Sequence, residues 1–242
     1  MNNIANNVPK ISIVTIVLND LEGLKRTIES VKSLNFTEYE YIVIDGGSDN
    51  KSLEFIKNEP TISKWVSEKD KGIYDAMNKG IQMSSGDYIH LLNAGDVYYS
   101  SDVFDGSYFL DGKDFLAWAV LKRGKRDIIW SPHKSKIYNS LRIAHPGLIV
   151  KSSYYVNNEL YSLDYSLISD SIFILNNVKE NNSNLYQNIL VDMDGSGIST
   201  SLSWRNIYER HILINLYDIN YFMKFLLHIR TSIYFLKNFF WK

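Results

Sequence analysis

The sequence predicts an α/β protein built on a mostly parallel central sheet flanked by helices, and two observations carry that expectation. Apolar, β-branched runs alternate with amphipathic helical patterns from Ile11 to Leu92. Three of those runs end in small or acidic residues: Asn19-Asp20, Asp45-Gly46-Gly47-Ser48 and Asn93-Ala94-Gly95-Asp96. Open α/β sheets bind ligands outside the carboxyl ends of their strands, so these turns are candidate site residues. A small antiparallel addition and a C-terminal amphipathic helical segment are expected to follow.

Ile11 to Leu18 is a continuous apolar run, as expected for a strand buried on both faces. Leu21, Leu24, Ile28, Val31 and Leu34 then recur at helical spacing after the capping pair Asn19-Asp20. The strand Tyr39 to Ile44 meets a glycine turn, and Ser48 or Asp49 can cap a helix over 50–58. A short strand is expected at Ile62–Val66, a helix through Ile73, Met77 and Ile81, and a strand at Tyr88–Leu92. Beyond these, the pattern predicts a helix over Ser101–Leu110 and two strands, 114–121 and 126–131, joined by a basic turn. Further strands are expected at 148–150 and 187–191, with Asp170 near the start of a helix between them. No internal repeat and no Pro/Gly/Ser linker marks a domain boundary. The expected division is a flexible N-terminus at 1–8, one domain over 9–203, and a helical segment over 204–242.

Composition narrows the function classes. The chain has 242 residues and is 45% hydrophobic, enough for one large domain. A formal net charge of -1 provides no global field for nucleic acid, which is not expected as a partner. There is no cysteine, so disulfides, thiolate metal sites and cysteine nucleophiles are excluded. Residues 1–10 contain no apolar core of signal-peptide length, and a cytoplasmic location is expected. Nine of the 33 aromatic residues fall in 217–242, where Phe222, Phe225, Leu226, Ile229, Ile233, Leu236 and Phe240 recur at helical spacing among Lys224, Arg230, Lys237 and Lys242. The basic residues interrupt every window long enough to span a bilayer. Such a helix suits a membrane interface or a partner surface, against the plainer reading of a terminal helix packed on the domain.

Motifs that are missing also count. No GxGxxG follows the first strand, and neither GxxxxGK[ST] nor GxSxG occurs. What is present, in order, is KISIVTIVLND, YIVIDGGSDN, WVSEKDKGIYDAMNKGI and SGDYIHLLNAGD. Together these resemble the family 2 nucleotide-sugar glycosyltransferases of GT-A, Rossmann-like fold, above all the small bacterial members that build colanic-acid-like, O-antigen and capsular polysaccharides. The resemblance covers about residues 9–110, with fragments at Ala144–Gly147 and Ile168–Phe173.

The resemblance implies roles. Val17, Leu18 and Asn19 would border the nucleobase of a nucleotide-sugar donor, and Asp45 would accept a hydrogen bond from it. Asp70 and Lys71 would lie near the nucleotide and sugar. Asn93, Ala94 and Gly95 occupy the place of the family's Asp-x-Asp motif, and Asp96 would hold Mg2+ or Mn2+ against the donor diphosphate. Asn93 and Gly95 replace carboxylates common there, so the metal site rests on one acid. Asp170 would be the general base, implying inversion at the anomeric carbon; helix capping is its competing explanation. His145, followed by Pro146, would touch acceptor or phosphate, against the alternative of an exposed turn histidine. The acceptor would be a glycan, carried on a polyprenyl diphosphate at the inner face of the cytoplasmic membrane. There the C-terminal helices would make peripheral contact or pair in a homodimer. A nucleotidyltransferase acting on sugar phosphates and a non-catalytic sugar-binding or scaffold subunit are the rival readings.

Overall fold

The computed structural model describes residues 10–124, 126–135, 140–194 and 203–240. The expected flexible N-terminus, most of the loop after Asp194, and Trp241 and Lys242 lie outside the described residues. Strands β1 (Ile11–Val17), β2 (Tyr39–Asp45), β3 (Lys64–Ser67) and β4 (Tyr88–Leu91) are parallel. Helices α1 (Leu21–Lys32), α2 (Asn50–Asn58) and α3 (Ile73–Met83) connect them. After them come β5 (Val97–Tyr98), β6 (Phe115–Lys122), β7 (Ile128–Trp130), β8 (His133–Ser135), β9 (Ser140–Arg142) and β10 (Leu148–Lys151). Helices α4 (Ser152–Asn157) and α5 (Ser169–Asn177), strand β11 (Ser183–Met193), and helices α6 (Trp204–Leu216) and α7 (Tyr221–Phe240) complete the described chain.

The large sheet has the order β3-β2-β1-β4-β10-β6-β11-β5, with β7 beside β6, while β8 and β9 form a separate antiparallel pair. Strand β10 is antiparallel to both β4 and β6, and β11 is parallel to β6. Consequently β1, β2, β3, β4, β6 and β11 all end at one edge of the sheet. Every residue of β1 is buried, as its unbroken apolar run requires of a strand covered on both faces.

Successive side chains point to opposite faces and feed two cores. Ile11, Ile13, Tyr41 and Val43 pack with Leu24, Ile28 and Ile56 of α1 and α2. Val14, Ile16, Ile42 and Ile44 pack with Tyr74, Met77 and Ile81 of α3 and Phe173 of α5. At the end away from the strand exits, the buried Glu40 carboxylate accepts from Ser12 Oγ at 2.6 Å and from the Ser85 backbone N–H at 2.5 Å, and pairs with Lys64 at 2.9 Å. Burial alone would push its pKa up, but these donors outweigh burial and hold it at about 2.

Several expectations are corrected. The helix over Ser101–Leu110 is absent: only a 3-10 turn forms at Gly106–Phe109. Asp105 caps that turn, and Val103, Phe104 and Phe109 enter the core irregularly, with the Phe104 ring tilted against that of Phe36 at 5.7 Å. The strand at 187–191 is longer, reaching from Ser183 to Met193, because its pairing with β6 tolerates two register shifts. The expected C-terminal helical segment is present as two helices, α6 and α7, separated between Leu216 and Tyr221.

Candidate active site

The first two strand exits build an open crevice. After Val17, which is buried, Leu18 is 59% exposed at the strand exit. Asn19 takes a left-handed backbone with φ of 53° and donates its N–H to Ser48 Oγ at 2.7 Å. Gly46 N–H donates to Val17 O at 2.9 Å, which lays the second turn against the first. A Cβ at Gly46 would lie 2.7 Å from Asp70 Oδ2 and 3.4 Å from Leu18 Cδ1, so the glycine leaves room for the Asp70 carboxylate and the turn brings Leu18 and Asp70 together. Asp45 is 0% exposed. Its carboxylate accepts from the Ser48 N–H at 3.1 Å and from Ser67 Oγ at 2.5 Å, fixing the turn from below.

Asp70 is held in turn by Lys79 of α3, whose Nζ lies 2.5 Å from Asp70, 2.9 Å from Glu68 and 3.3 Å from Asp75. The three carboxylates overcome burial and raise the Lys79 pKa, so it stays a cation. Lys71 is exposed and donates its backbone N–H to Asp75 Oδ2 at 3.0 Å. Lys79 carries a legible signal, an i,i+4 pairing with Asp75, that the sequence reading did not use.

The exit of β4 forms a second cluster. Ala94 N–H reaches Ile16 O at 3.0 Å, and Thr27 Oγ1 accepts from Gly95 N–H at 3.0 Å while donating to Asp96 O at 2.8 Å. Asp96 is 4% exposed, and its Oδ1 accepts from the Asp194 N–H at 2.9 Å. No helix follows it, so it is not a cap; β5 begins at the next residue. Burial pushes its carboxyl up to about 7; the bond from Asp194 opposes that, and the charges of Asp194 and Asp192 add to it. Arg26 answers them by pairing with Asp194 at 3.2 Å. Gly95 has φ of 95°, a conformation that glycine adopts freely.

Among the described residues no three His, Asp or Glu side chains group as a ready metal cage. The oxygens present are the Asp96 carboxylate, the Asp194 carboxylate, and Asn93 Oδ1, which is buried without a hydrogen-bond partner. Mg2+ commonly takes one or two carboxylates and completes its shell from water and substrate phosphates. The orphaned Asn93 oxygen, in the same turn as Asp96, fits a cation shared with a diphosphate, not one caged by protein alone.

The third cluster surrounds Asp170, in the first turn of α5, where the N-cap position is Ile168. Capping therefore does not explain Asp170. Its Oδ1 accepts from Tyr74 OH at 2.8 Å and from the Ser171 N–H at 2.7 Å. Asn78 of α3 locks the preceding loop by exchanging bonds with the Tyr161 backbone at 2.8 and 3.0 Å. Glu209 of α6 is buried and accepts from the Ser166 N–H at 2.9 Å and the Leu167 N–H at 2.7 Å. Burial raises its pKa, but these donors and Arg205 outweigh that and lower it. Tyr74 and Glu209 carried no sequence signal, because their partners lie far along the chain.

His145 departs from the plainer expectation of an exposed turn residue. It is buried, and its Nε2 lies 3.1 Å from Tyr161 OH. Burial lowers its pKa, opposed by the charge of Asp170. Its ring lies 5.8 Å from that of Tyr161, in the packing near Asp170.

A mixed sheet whose strand exits form a crevice, with a lone carboxylate on a neighbouring helix, is the architecture of the GT-A class. The glycosyl transferase family 2 model matches residues 12–149, and the chain belongs to that family: it is a glycosyltransferase. An uncharacterized glycosyltransferase of Mycobacterium tuberculosis is 34% identical over 179 residues, covering 69% of this chain and 68% of that protein. A PGL/p-HBAD biosynthesis glycosyltransferase of Mycobacterium bovis is 29% identical over 98 residues, covering 39% of this chain and 38% of that protein. In fold, the chain is similar to Staphylococcus aureus TarS in complex with UDP, with a TM-score of 0.66 at 17% identity over 96% of this chain and 72% of that one. It is also similar to a Pyrobaculum calidifontis mannosyltransferase in complex with GDP-Man and Mn2+, with a TM-score of 0.58 at 10% identity over 92% and 64% of the two chains.

Proposed function

We propose that the protein transfers a sugar, with inversion, from a nucleoside-diphosphate donor to a hydroxyl of a glycan acceptor. The observation that carries this reading is the role of α3. It fastens the donor-side residue Asp70 through Lys79 and the acceptor-side residue Asp170 through Tyr74. A transferase needs two such sites held in register. The nucleotide would lie in the crevice of Val17, Leu18, Asn19, Asp45, Asp70 and Lys71. Leu18 gives the base an apolar edge, and Asp45 holds the turn under it. The diphosphate would approach Asn93 to Asp96. There Asp96, with Asn93 and Asp194, would hold Mg2+ or Mn2+, which neutralises the departing diphosphate when bound.

Asp170 has one oxygen occupied by Tyr74 and Ser171, leaving Oδ2 for the acceptor. Oδ2 takes the proton from the acceptor hydroxyl as that oxygen attacks the anomeric carbon. The bond from that carbon to the diphosphate oxygen breaks, and the diphosphate leaves with the electron pair. Attack opposite the leaving group inverts the centre.

No helix among the described residues is long and apolar enough to cross a membrane. Phe222, Phe225, Leu226, Ile229, Ile233 and Leu236 of α7 nevertheless form an exposed apolar stripe, with Arg230 beside it. That face suits the membrane interface and supports peripheral docking beside a polyprenyl-diphosphate-linked acceptor, in the assembly of a bacterial surface polysaccharide.

The test is incubation with Mn2+ and a panel of labelled UDP- and GDP-sugars. Release of nucleoside diphosphate is expected, and Asp170→Asn should cut it at least 100-fold while donor affinity is kept, an order of magnitude typical of a lost general base. Pyrophosphate chemistry would instead support a nucleotidyltransferase, and full activity of the Asp170→Asn protein would refute the assignment of the base.

A further inference from the structure

The base is not held by its own helix alone. Tyr74 is buried, and its hydroxyl is spent on Asp170 Oδ1 at 2.8 Å. Its ring packs 5.7 Å from that of Tyr161, which itself lies 5.0 Å from Phe173 on α5. A carboxylate on a terminal sp3–sp2 torsion rotates easily, so a second donor on the same oxygen decides which way the other oxygen faces. The Ser171 N–H pins Oδ1 from within the helix, and Tyr74 pins it from a different element.

Position in the chain adds a second argument. Tyr74 lies in the first turn of α3, two residues beyond Gly72, whose φ of 129° is a conformation that favours glycine. Just upstream are Asp70 and Lys71, the donor-side residues. Farther along α3, Lys79 reaches back to Asp70 at 2.5 Å. The segment that would meet the donor thus continues directly into the residue that orients the base.

We propose that Tyr74 is a positioning residue. Its hydroxyl fixes Asp170 Oδ1 so that Oδ2 faces the acceptor, and it ties the orientation of the base to the donor-side loop. The inference rests on the reading of Asp170 as the base. Its expected signature is a fall in kcat without a change in donor KM, because Tyr74 is placed to touch neither substrate.

The experiment compares the full chain with Tyr74→Phe and Asp170→Asn. The assay is release of nucleoside diphosphate with Mn2+ and water as acceptor, using whichever UDP- or GDP-sugar the native protein turns over fastest. Tyr74→Phe keeps the ring and its packing. It is expected to lower kcat ~10- to 100-fold, the scale of a misplaced catalytic group, with KM for the nucleotide sugar within about twofold. Native kcat in Tyr74→Phe beside an inactive Asp170→Asn would overturn the inference and leave the base assignment standing. Native kcat in Asp170→Asn would overturn the base assignment itself. A crystal structure of the Tyr74→Phe protein with the Asp170 carboxylate unmoved would also count against the positioning role.

Discussion

Glu40 shows how strongly one residue can be committed to the fold. Its folded-state pKa of about 2 lies below the ~4.3 of an unfolded glutamate, so its contribution is fully present above the unfolded value and is lost as pH falls through the folded one. That difference corresponds to about 3 kcal/mol. Urea unfolding of the native protein and of Glu40→Gln should therefore give stability curves that converge by roughly that amount between pH 5 and 2. Parallel curves would show that the carboxylate is not held as its hydrogen bonds imply. Residues of this kind were not readable from the chain. Glu40 sits in an apolar strand pattern, and its partners Ser12, Lys64 and Ser85 come from three other segments. Asp45 and Asp96 were readable because turn glycines at strand ends flag them, although both are more deeply buried than that signal implies.

At the scale of elements, α3 has an unusual constraint. A Cβ at Gly80 would come 2.2 Å from Val14 Cγ1 and 3.3 Å from Ile44 Cγ1, so the helix lies on the sheet with no room for a methyl. In an open helix, glycine to alanine stabilises by ~1 kcal/mol, but overpacking costs ~1–3 kcal/mol. Gly80→Ala should therefore destabilise by up to about 2 kcal/mol and lower turnover as well, because lifting α3 displaces Tyr74 and Lys79 together. A raised melting temperature with native turnover would contradict this contact. Helix α7 presents the opposite case, an apolar stripe that the described residues leave exposed. Phe222→Glu with Phe225→Glu should reduce co-sedimentation with anionic phospholipid vesicles more than ~10-fold, since each exposed ring brings about 1.5–3 kcal/mol of burial. A native dimer that dissociates on the same substitutions, without vesicle binding, would make the stripe a protein interface instead.

Across the whole molecule, the half built from local periodicity was legible and the half built from distant pairing was not. Strands β1, β2 and β4 and helices α1 to α3 follow their apolar spacing, because each βα unit buries its pattern against its neighbour. The short β8–β9 pair, the early start of β11 and the turn at Gly106–Phe109 owe their form to tertiary partners, so propensity was a poor guide there. The candidate site divides the same way. Its proposed donor side sits in strand exits, while the hold on Asp170 and the loop before it depends on contacts from α3 and α6.

One of those contacts reaches beyond the site. Glu209 fastens α6 to the backbone at Ser166 and Leu167, a few residues before Asp170, while Trp204 and Phe235 join α6 to α7 with rings 4.9 Å apart. The hairpin and Asp170, the proposed base, therefore share one mount. A surface that captured α7 would set the tilt of the site as well as its nearness, and transfer would take place at a fixed height above that surface.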